Sequence, residues 1–189
     1  MKNKSLSTRQ ITEVAILLAI AIVLELIAMA LPKMPQGGSF SISMLPIFII
    51  ALRHGAKIGI MSGVLYGILD LMLNGFVLWH WASFFLDYTI AFGLLGVAGY
   101  IFARKKESPT YFAVGIIIGS LLRFMSHWLS GVMLFAPSGD QGFLNYRFWI
   151  GSAVYNATYM IPSTIFTVVI GFVLFTALKD QLINTQESL

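Results

Sequence analysis

Arg123 and His127 are two ionisable residues within the run 111–135, which is otherwise almost entirely apolar. Their spacing of four places both side chains on one face of a helix. In a membrane, an ionisable side chain is costly and needs either a partner or a function. We therefore expect Arg123 to pair with an aspartate of another helix. A neutral imidazole both donates and accepts hydrogen bonds, so His127 suits a polar heteroaromatic ligand as well as helix packing.

A carboxylate and an amide occur in two other apolar runs. Asp87 lies in FLDYTIAF, and Asn156 lies in YNATYMIPS. A carboxylate at membrane depth needs a cationic partner, several hydrogen-bond donors or a bound cation. Aromatic residues accompany them in the same or nearby runs: Tyr66, Tyr88, Phe135, Trp149, Tyr155 and Tyr159. A carboxylate combined with several aromatic rings is suited to bind an organic cation.

Three further carboxylates lie within the apolar runs, at Glu13, Glu25 and Asp70. Glu13 is close to the end of its run and is expected to reach water. We interpret Glu25 and Asp70 as residues that snorkel to the interface or pair with another residue. None of the three is assigned to the predicted site.

The composition assigns the chain to the membrane. Of its 189 residues, 58% are hydrophobic and 11% are charged, and the mean hydropathy is +0.84. Soluble domains carry about 25% charged residues. The sequence has no cysteine and lacks the P-loop, H-E-x-x-H and G-x-S-x-G patterns, which excludes the corresponding ATPase, zinc-protease and serine-hydrolase chemistry. We predict no catalytic residue, no metal, no cofactor and no nucleic-acid partner.

Six apolar segments predict an all-α, polytopic membrane protein with a single domain, residues 1–189. The segments run at about 10–31, 40–52, 56–74, 82–103, 111–135 and 147–178. A spanning helix needs about 20 residues, and the second segment is shorter. That segment follows LPKMPQGGSFS, which is rich in Pro, Gly and Ser. Irregular backbone is tolerated at membrane depth only where protein or a cavity surrounds it, so this loop is expected to line a cavity.

The basic residues give the orientation. With a cytoplasmic N-terminus, the inner side carries Lys2, Lys4, Arg9, Arg53, Lys57, Arg104, Lys105, Lys106 and Lys179, and the outer side carries Lys33 and Arg147. The positive-inside rule favours this arrangement, with both termini in the cytoplasm. Asp87, His127 and Asn156 then lie in the outer halves of the fourth, fifth and sixth segments. We expect these three residues at one depth.

Four stretches resemble those of a known family: PQGGSFSISMLPIF, FLDYTIAF, GSLLRFMSHWLSGVMLF and YNATYMIPS. The family comprises the thiamine-specific substrate-binding subunits (S components) of energy-coupling factor (ECF) transporters, and the resemblance extends from about Thr12 to about Phe175. It implies a six-helix S-component fold in the bacterial plasma membrane that binds thiamine with high affinity near the outer face. It also implies docking on an ECF module of one transmembrane coupling protein and two ATPases, through Ala15 and Ala19 of the first helix. The first loop is implied to act as a lid.

The resemblance further implies a set of substrate-binding residues: Asp87, Tyr88, His127, Phe135, Asn156, Tyr66 and Tyr155. Asp87 stands where the family usually has glutamate, so its reach is one methylene shorter, and Tyr66 stands where the family has tryptophan. Tyr155 is expected to replace a family tyrosine that falls on Gly151 here. Thiamine, with a cationic thiazolium and an aminopyrimidine, suits this set. Unphosphorylated thiamine is expected to bind best, because Arg123 is the only basic residue predicted in the pocket.

The residues alone leave two other functions open. In the first, the chain is a stand-alone proton-coupled transporter of thiamine or a related organic cation, with Asp87 or Asp70 carrying the proton. Uptake that survives without an ATPase module but collapses with the proton gradient would indicate that function. In the second, the chain is a membrane enzyme or a scaffold. A purified chain that does not bind thiamine but transforms a lipid would indicate that function. Because S components of other vitamins share the fold, a related vitamin is the nearest alternative ligand.

Overall fold

The computed structural model describes residues 6–31, 34, 38–74, 81–135 and 145–183. For Phe135 it describes the backbone only. All regular structure within these ranges is helical. Six helices follow the six predicted segments: α1 Thr8–Met29, α2 Leu45–His54, α3 Ala56–Leu73, α4 Trp81–Phe102, α5 Pro109–Phe135 and α6 Tyr146–Ala177. A short helix, α7 Lys179–Ile183, follows α6. The predicted all-α fold is confirmed.

Five of these helices are long and apolar enough to cross a membrane, and α2 is the exception. With ten residues, α2 is about 15 Å long, half the thickness of a hydrocarbon core of about 30 Å. Seven of its ten residues are buried: Leu45, Pro46, Ile47, Phe48, Ile50, Ala51 and Leu52. Protein rather than lipid therefore surrounds most of α2. A sixth membrane span and the cytoplasmic location of both termini stay predictions.

Several helix ends are set by local sequence signals. The Ser7 hydroxyl accepts from the Gln10 amide at 3.2 Å, and the Gln10 side chain accepts from the Ser7 amide at 3.0 Å, which forms a capping box at the start of α1. Gly55 separates α2 from α3 with φ 85°, a left-handed conformation that favours glycine. The Asn145 side chain accepts from the Arg147 amide at 3.0 Å and caps α6.

The fourth helix is irregular where it faces α3. Residues Phe84–Thr89 of α4 form a π-helical stretch, and Gly96–Ala98 form a 3₁₀ turn. On α3, a Cβ added to Gly67 would lie 2.5 Å from the Tyr88 carbonyl oxygen, and one added to Gly63 would lie 2.2 Å from that of Phe92. Glycine therefore lets the backbone of α3 support the π-helical stretch directly.

The hydrophobic core includes residues of all seven helices. Phe102, Phe112 and Phe175 stack in sequence, with ring centroids 5.1 and 5.3 Å apart, near the ends of α4 and α6 and the start of α5. Met44 and Phe92 belong to the same core and also line a cavity. The cavity therefore rests directly on packed protein.

Candidate functional site

A cavity of about 570 Å³ lies where α1, α3 and α5 end and α4 and α6 begin. This volume is in the range of small-molecule pockets. Its lining includes three carboxylates, two guanidiniums, one imidazole, two amides and five aromatic rings: Glu25, Asp70, Asp87, Arg123, Arg147, His127, Asn74, Asn156, Tyr88, Phe92, Phe148, Tyr155 and Tyr159. The arrangement combines negative charge, ring faces and directional hydrogen-bonding groups in one space.

Asp87 lies in the π-helical stretch of α4, and α5 supplies most of its partners. Its Oδ1 is 3.2 Å from His127 Nδ1. Its Oδ2 accepts from the hydroxyl of Ser130 at 2.8 Å and from that of Ser83, one turn earlier on α4. The Ser126 hydroxyl donates to the backbone of the same stretch, at the Leu86 carbonyl, at 2.6 Å. Serines of α5 thus fix both the backbone and the carboxylate of this stretch.

His127 is held between Asp87 and Arg123. The Arg123 Nε–H donates to His127 Nε2 at 3.3 Å. Arginine has no acceptor, so Nε2 must be the accepting nitrogen. The ring proton is therefore on Nδ1, from which it is donated to Asp87. His127 is in the tautomer that directs its only N–H at the carboxylate.

The expected pairing of Arg123 with an aspartate is wrong for the part of the chain that the structure describes. No carboxylate there lies within 4.0 Å of the guanidinium. Its Cζ lies 4.1 Å from the centroid of the Phe92 ring, and its Nη1 is 3.9 Å from the sulfur of Met44. The rotation of α5 brings His127, rather than Arg123, opposite Asp87.

Asn156 is 4% exposed and connects α5 with α6. Its Nδ2 donates to the Ser152 carbonyl at 2.9 Å and to the His127 carbonyl at 3.4 Å. Its Oδ1 accepts from the Tyr159 hydroxyl. Asn156 therefore orients the ring of Tyr159 and the backbone beside His127.

The first loop closes one side of the cavity through residues 38–43. The Gly38 amide donates to the Tyr155 hydroxyl at 3.4 Å, and a Cβ on Gly38 would lie 2.4 Å from the Tyr159 ring. The Ser41 amide donates to the Ser163 hydroxyl at 3.1 Å. Hydroxyls of the same loop also converge on Glu25 of α1. The loop is thus attached to both α1 and α6.

The structure brings together five of the seven predicted substrate-binding residues, since Asp87, Tyr88, His127, Tyr155 and Asn156 all line the cavity. Tyr66 does not line it. Its ring is fully buried behind Phe92, at a centroid distance of 4.7 Å. The side chain of Phe135 lies outside what the structure describes.

Gly151, where the family tyrosine would fall, lines the cavity, and a Cβ there would meet nothing within 4 Å. Tyr155, one turn later on α6, also lines the cavity, and its hydroxyl is engaged by Gly38. The two predicted partner-interface residues, Ala15 and Ala19, are both exposed on α1.

Sequence reasoning missed several residues of the cavity wall. Glu25 and Asp70 line the cavity, although the sequence analysis left both outside the site. Phe148 adds an aromatic ring, and Arg147 adds an exposed guanidinium, so the expectation that Arg123 is the only basic residue there is wrong. The alternating serines of SFSIS could have indicated a polar partner such as Glu25, because alternate residues of an extended segment point to one side.

Among the described residues, no group of three or more His, Cys, Asp or Glu side chains is placed to hold a metal ion. The carboxylate, imidazole and hydroxyls around Asp87 form a closed hydrogen-bond network. Such a network suits recognition of a polar ligand by hydrogen bonding and charge.

Comparisons with known proteins agree with this architecture. The family model described as Thiamine transporter protein (Thia_YuaJ) matches residues 11–183. The thiamine transporter ThiT of Bacillus subtilis is 34% identical over 182 residues, which cover 92% of this chain and 93% of that protein. ThiT of Lacticaseibacillus paracasei is 31% identical over 169 residues, covering 79% and 81% respectively.

A solved structure of ThiT from Listeria monocytogenes superposes with a TM-score of 0.76, over 92% of this chain and 96% of that one. At 22% identity, this match supports the fold. The family match over most of the chain, together with relatives above 30% identity, supports membership of the family. The chain therefore belongs to the thiamine transporter family, as a multi-pass protein of the cell membrane with a role in transport rather than catalysis.

Proposed function

We propose that this chain is the thiamine-binding S component of an ECF-type uptake transporter, acting as one membrane domain of residues 1–189. It captures thiamine from the outer side in the cavity between α4, α5 and α6. It delivers the vitamin inward when docked on a module of one transmembrane coupling protein and two ATPases. The sequence has no P-loop of its own, which is consistent with energy supplied by partner subunits.

The observation that carries the proposal is the meeting of Asp87, His127 and Asn156 in one cavity. These residues come from three different helices. The Asp87 oxygens keep acceptor capacity for the amino group of an aminopyrimidine, while His127 orients Asp87 and Asn156 orients Tyr159 beside it. Five aromatic rings line the same wall, and aromatic rings attract a cation such as a thiazolium through their faces. The cavity volume of about 570 Å³ accommodates a ligand of this size.

Calorimetric titration of thiamine into the purified chain tests the binding step. We expect one thiamine per chain, and we expect Asp87→Asn to weaken binding by more than tenfold, or about 1.4 kcal/mol. The matched control is Glu107→Gln, which neutralises an exposed carboxylate between α4 and α5, away from the cavity. Equal affinities for the parent and the Asp87→Asn variant would remove Asp87 from the site. Calorimetry is preferred to tryptophan quenching because Trp81, Trp128 and Trp149 do not line the cavity.

Uptake of labelled thiamine into proteoliposomes tests the energising step. We expect uptake only when the chain is reconstituted with an ECF module and ATP is present on the module's side. Uptake by the chain alone that collapses when the proton gradient is dissipated would contradict the S-component role. That result would instead support a stand-alone proton-coupled transporter.

A further inference from the structure

Glu25 is a buried carboxylate in the wall of the proposed thiamine cavity. It lies one turn before the end of α1, and its residue is 5% exposed. Three hydroxyls of the first loop donate to it: Ser41 and Ser43 to Oε2 at 2.7 and 2.9 Å, and Ser39 to Oε1 at 3.4 Å. Two hydroxyls that converge on one oxygen are the environment of an ionised acceptor.

No cation neutralises Glu25 among the residues that the structure describes, since no Lys, Arg or His nitrogen there lies within 4.0 Å of it. The other carboxylate of the same helix is a direct contrast. Glu13 has the guanidinium of Arg53 at 3.0 Å and that of Arg9 at 3.3 Å. The hydroxyls donate hydrogen bonds to Glu25, but within the described part of the chain they leave its charge uncompensated.

Asp87 is engaged differently. Its carboxylate contacts His127, which in turn accepts from the guanidinium of Arg123. The negative charge of Asp87 is therefore already connected to a positive charge through one imidazole. Its oxygens are also oriented by two serines, so Asp87 is better placed to form directional hydrogen bonds than to act as an isolated counter-ion.

The remaining charges of the cavity also favour a cation. Its described lining carries three carboxylates, one partly buried guanidinium at Arg123 and one exposed guanidinium at Arg147. Exposed charges are screened by water and salt, whereas buried charges act at a much lower effective dielectric. An uncompensated buried carboxylate is destabilising, and a ligand that brings a permanent positive charge removes that penalty on binding.

We propose that Glu25 is a specificity-determining residue that supplies the counter-charge for the permanently cationic ring of the ligand, while Asp87 forms hydrogen bonds to its neutral, polar end. The proposal rests on the function proposed above and assigns separate tasks to two carboxylates of one cavity. It also places the counter-charge on the residue to which the first loop is attached. Glu25 therefore selects ligands by charge.

A comparison of two ligands tests this assignment. The probes are thiamine and its neutral isostere, in which a thiophene ring replaces the thiazolium. Calorimetry is performed on the parent chain and on Glu25→Gln, which keeps the shape and hydrogen-bonding capacity but removes the charge. We expect Glu25→Gln to weaken thiamine binding at least tenfold and to change isostere binding by less than about threefold. Asp87→Asn, by contrast, is expected to weaken both ligands.

Glu25→Asp keeps the charge one methylene further from the cavity, so we expect it to retain a preference for thiamine over the isostere. This variant serves as the test if Glu25→Gln does not fold, as judged by thermal unfolding without ligand. Equal weakening of both ligands by Glu25→Gln, or loss of the preference in a folded Glu25→Asp, would make Glu25 an anchor of the first loop only. Unchanged thiamine affinity in Glu25→Gln would overturn the assignment and leave the proposed function standing. A parent chain that does not bind thiamine would refute the proposed function itself.

Discussion

At the residue scale, His127 shows how the hydrogen-bonding capacity of one neighbour sets the state of another. Because Arg123 can only donate, its contact with Nε2 places the ring proton on Nδ1, where it faces Asp87. The i, i+4 spacing of Arg123 and His127 was visible in the sequence. Which of them faces Asp87 was not visible, because that depends on the rotation of α5 against α4. The sequence therefore predicted the shared face but assigned the wrong partner to Arg123.

Replacing Arg123 with methionine tests this coupling. We expect the imidazole of His127 to shift towards the other tautomer and thiamine binding to weaken about fivefold, since a hydrogen bond contributes about 1 kcal/mol net. The tautomer is read from the ¹⁵N chemical shifts of the histidine ring, and the affinity from calorimetry. Arg123→Lys, which retains a cationic donor, is the control and should keep more of the parent affinity. Identical ¹⁵N shifts in the parent and Arg123→Met would contradict the coupling.

At the element scale, the site depends on an irregular helix supported by a glycine-bearing one. The π-helical stretch Phe84–Thr89 carries both Asp87 and Tyr88. Thr89 and Ser126 donate to carbonyl groups of that stretch. The segment 82–103 was predicted as a helix within one residue at each end, but its π-helical turn was not predicted. The hydrophobic pattern of a sequence indicates which face of a helix is buried, but it carries no signal for a local change from α-helical to π-helical hydrogen bonding.

The close approach of α3 predicts that Gly67→Ala destabilises the protein. An added Cβ would lie 2.5 Å from the Tyr88 carbonyl oxygen, so α3 and the π-helical stretch must separate. Overpacking of this kind costs about 1–3 kcal/mol, and we expect a lower thermal unfolding midpoint together with weaker thiamine binding.

The matched control for stability is Gly151→Ala on α6, where an added Cβ meets nothing within 4 Å. Alanine is favoured over glycine in a helix by about 1 kcal/mol, so the unfolding midpoint of this variant should rise. Similar unfolding midpoints for the two alanine variants would show that the α3–α4 contact is not tight.

At the scale of the whole molecule, α1 is attached at both ends, and between them one of its faces is exposed while the other packs into the core. Glu13 binds Arg53 of α2, and Arg53 also donates to the Gln181 carbonyl of α7. Glu25 holds the first loop at the other end. Ala15 and Ala19 lie exposed between these two attachments. A fixed helix with small exposed residues permits close approach of a second helix.

We predict that Ala15→Trp and Ala19→Trp each abolish ECF-dependent thiamine uptake and leave thiamine affinity unchanged. A bulky indole blocks close helix packing at the proposed partner face, which is separate from the cavity wall. Val169→Trp on α6, at a position that is 56% exposed, is the control and should transport normally. Normal uptake by both alanine variants would place the partner interface elsewhere.

The whole-molecule comparison also shows where prediction from sequence ended. Apolar run lengths gave the six helices, and chain direction led us to expect Asp87, His127 and Asn156 at one depth. Glu25 and Asp70 were visible as embedded carboxylates, but the sequence did not show whether they face lipid, a partner or a cavity. That distinction depends on how α1 and α3 are rotated in the folded chain. The short α2 was identified, but the burial of most of its residues by protein appeared only in the structure.

An experimental structure of the chain with bound thiamine tests the central claim most directly. The account predicts density for a single thiamine in the cavity. Its aminopyrimidine should lie within hydrogen-bond distance of at least one of Asp87, His127 and Asn156, and its thiazolium should lie on the Glu25 side. Thiamine bound outside this cavity, or bound within it without contact to any of those three side chains, would contradict the account.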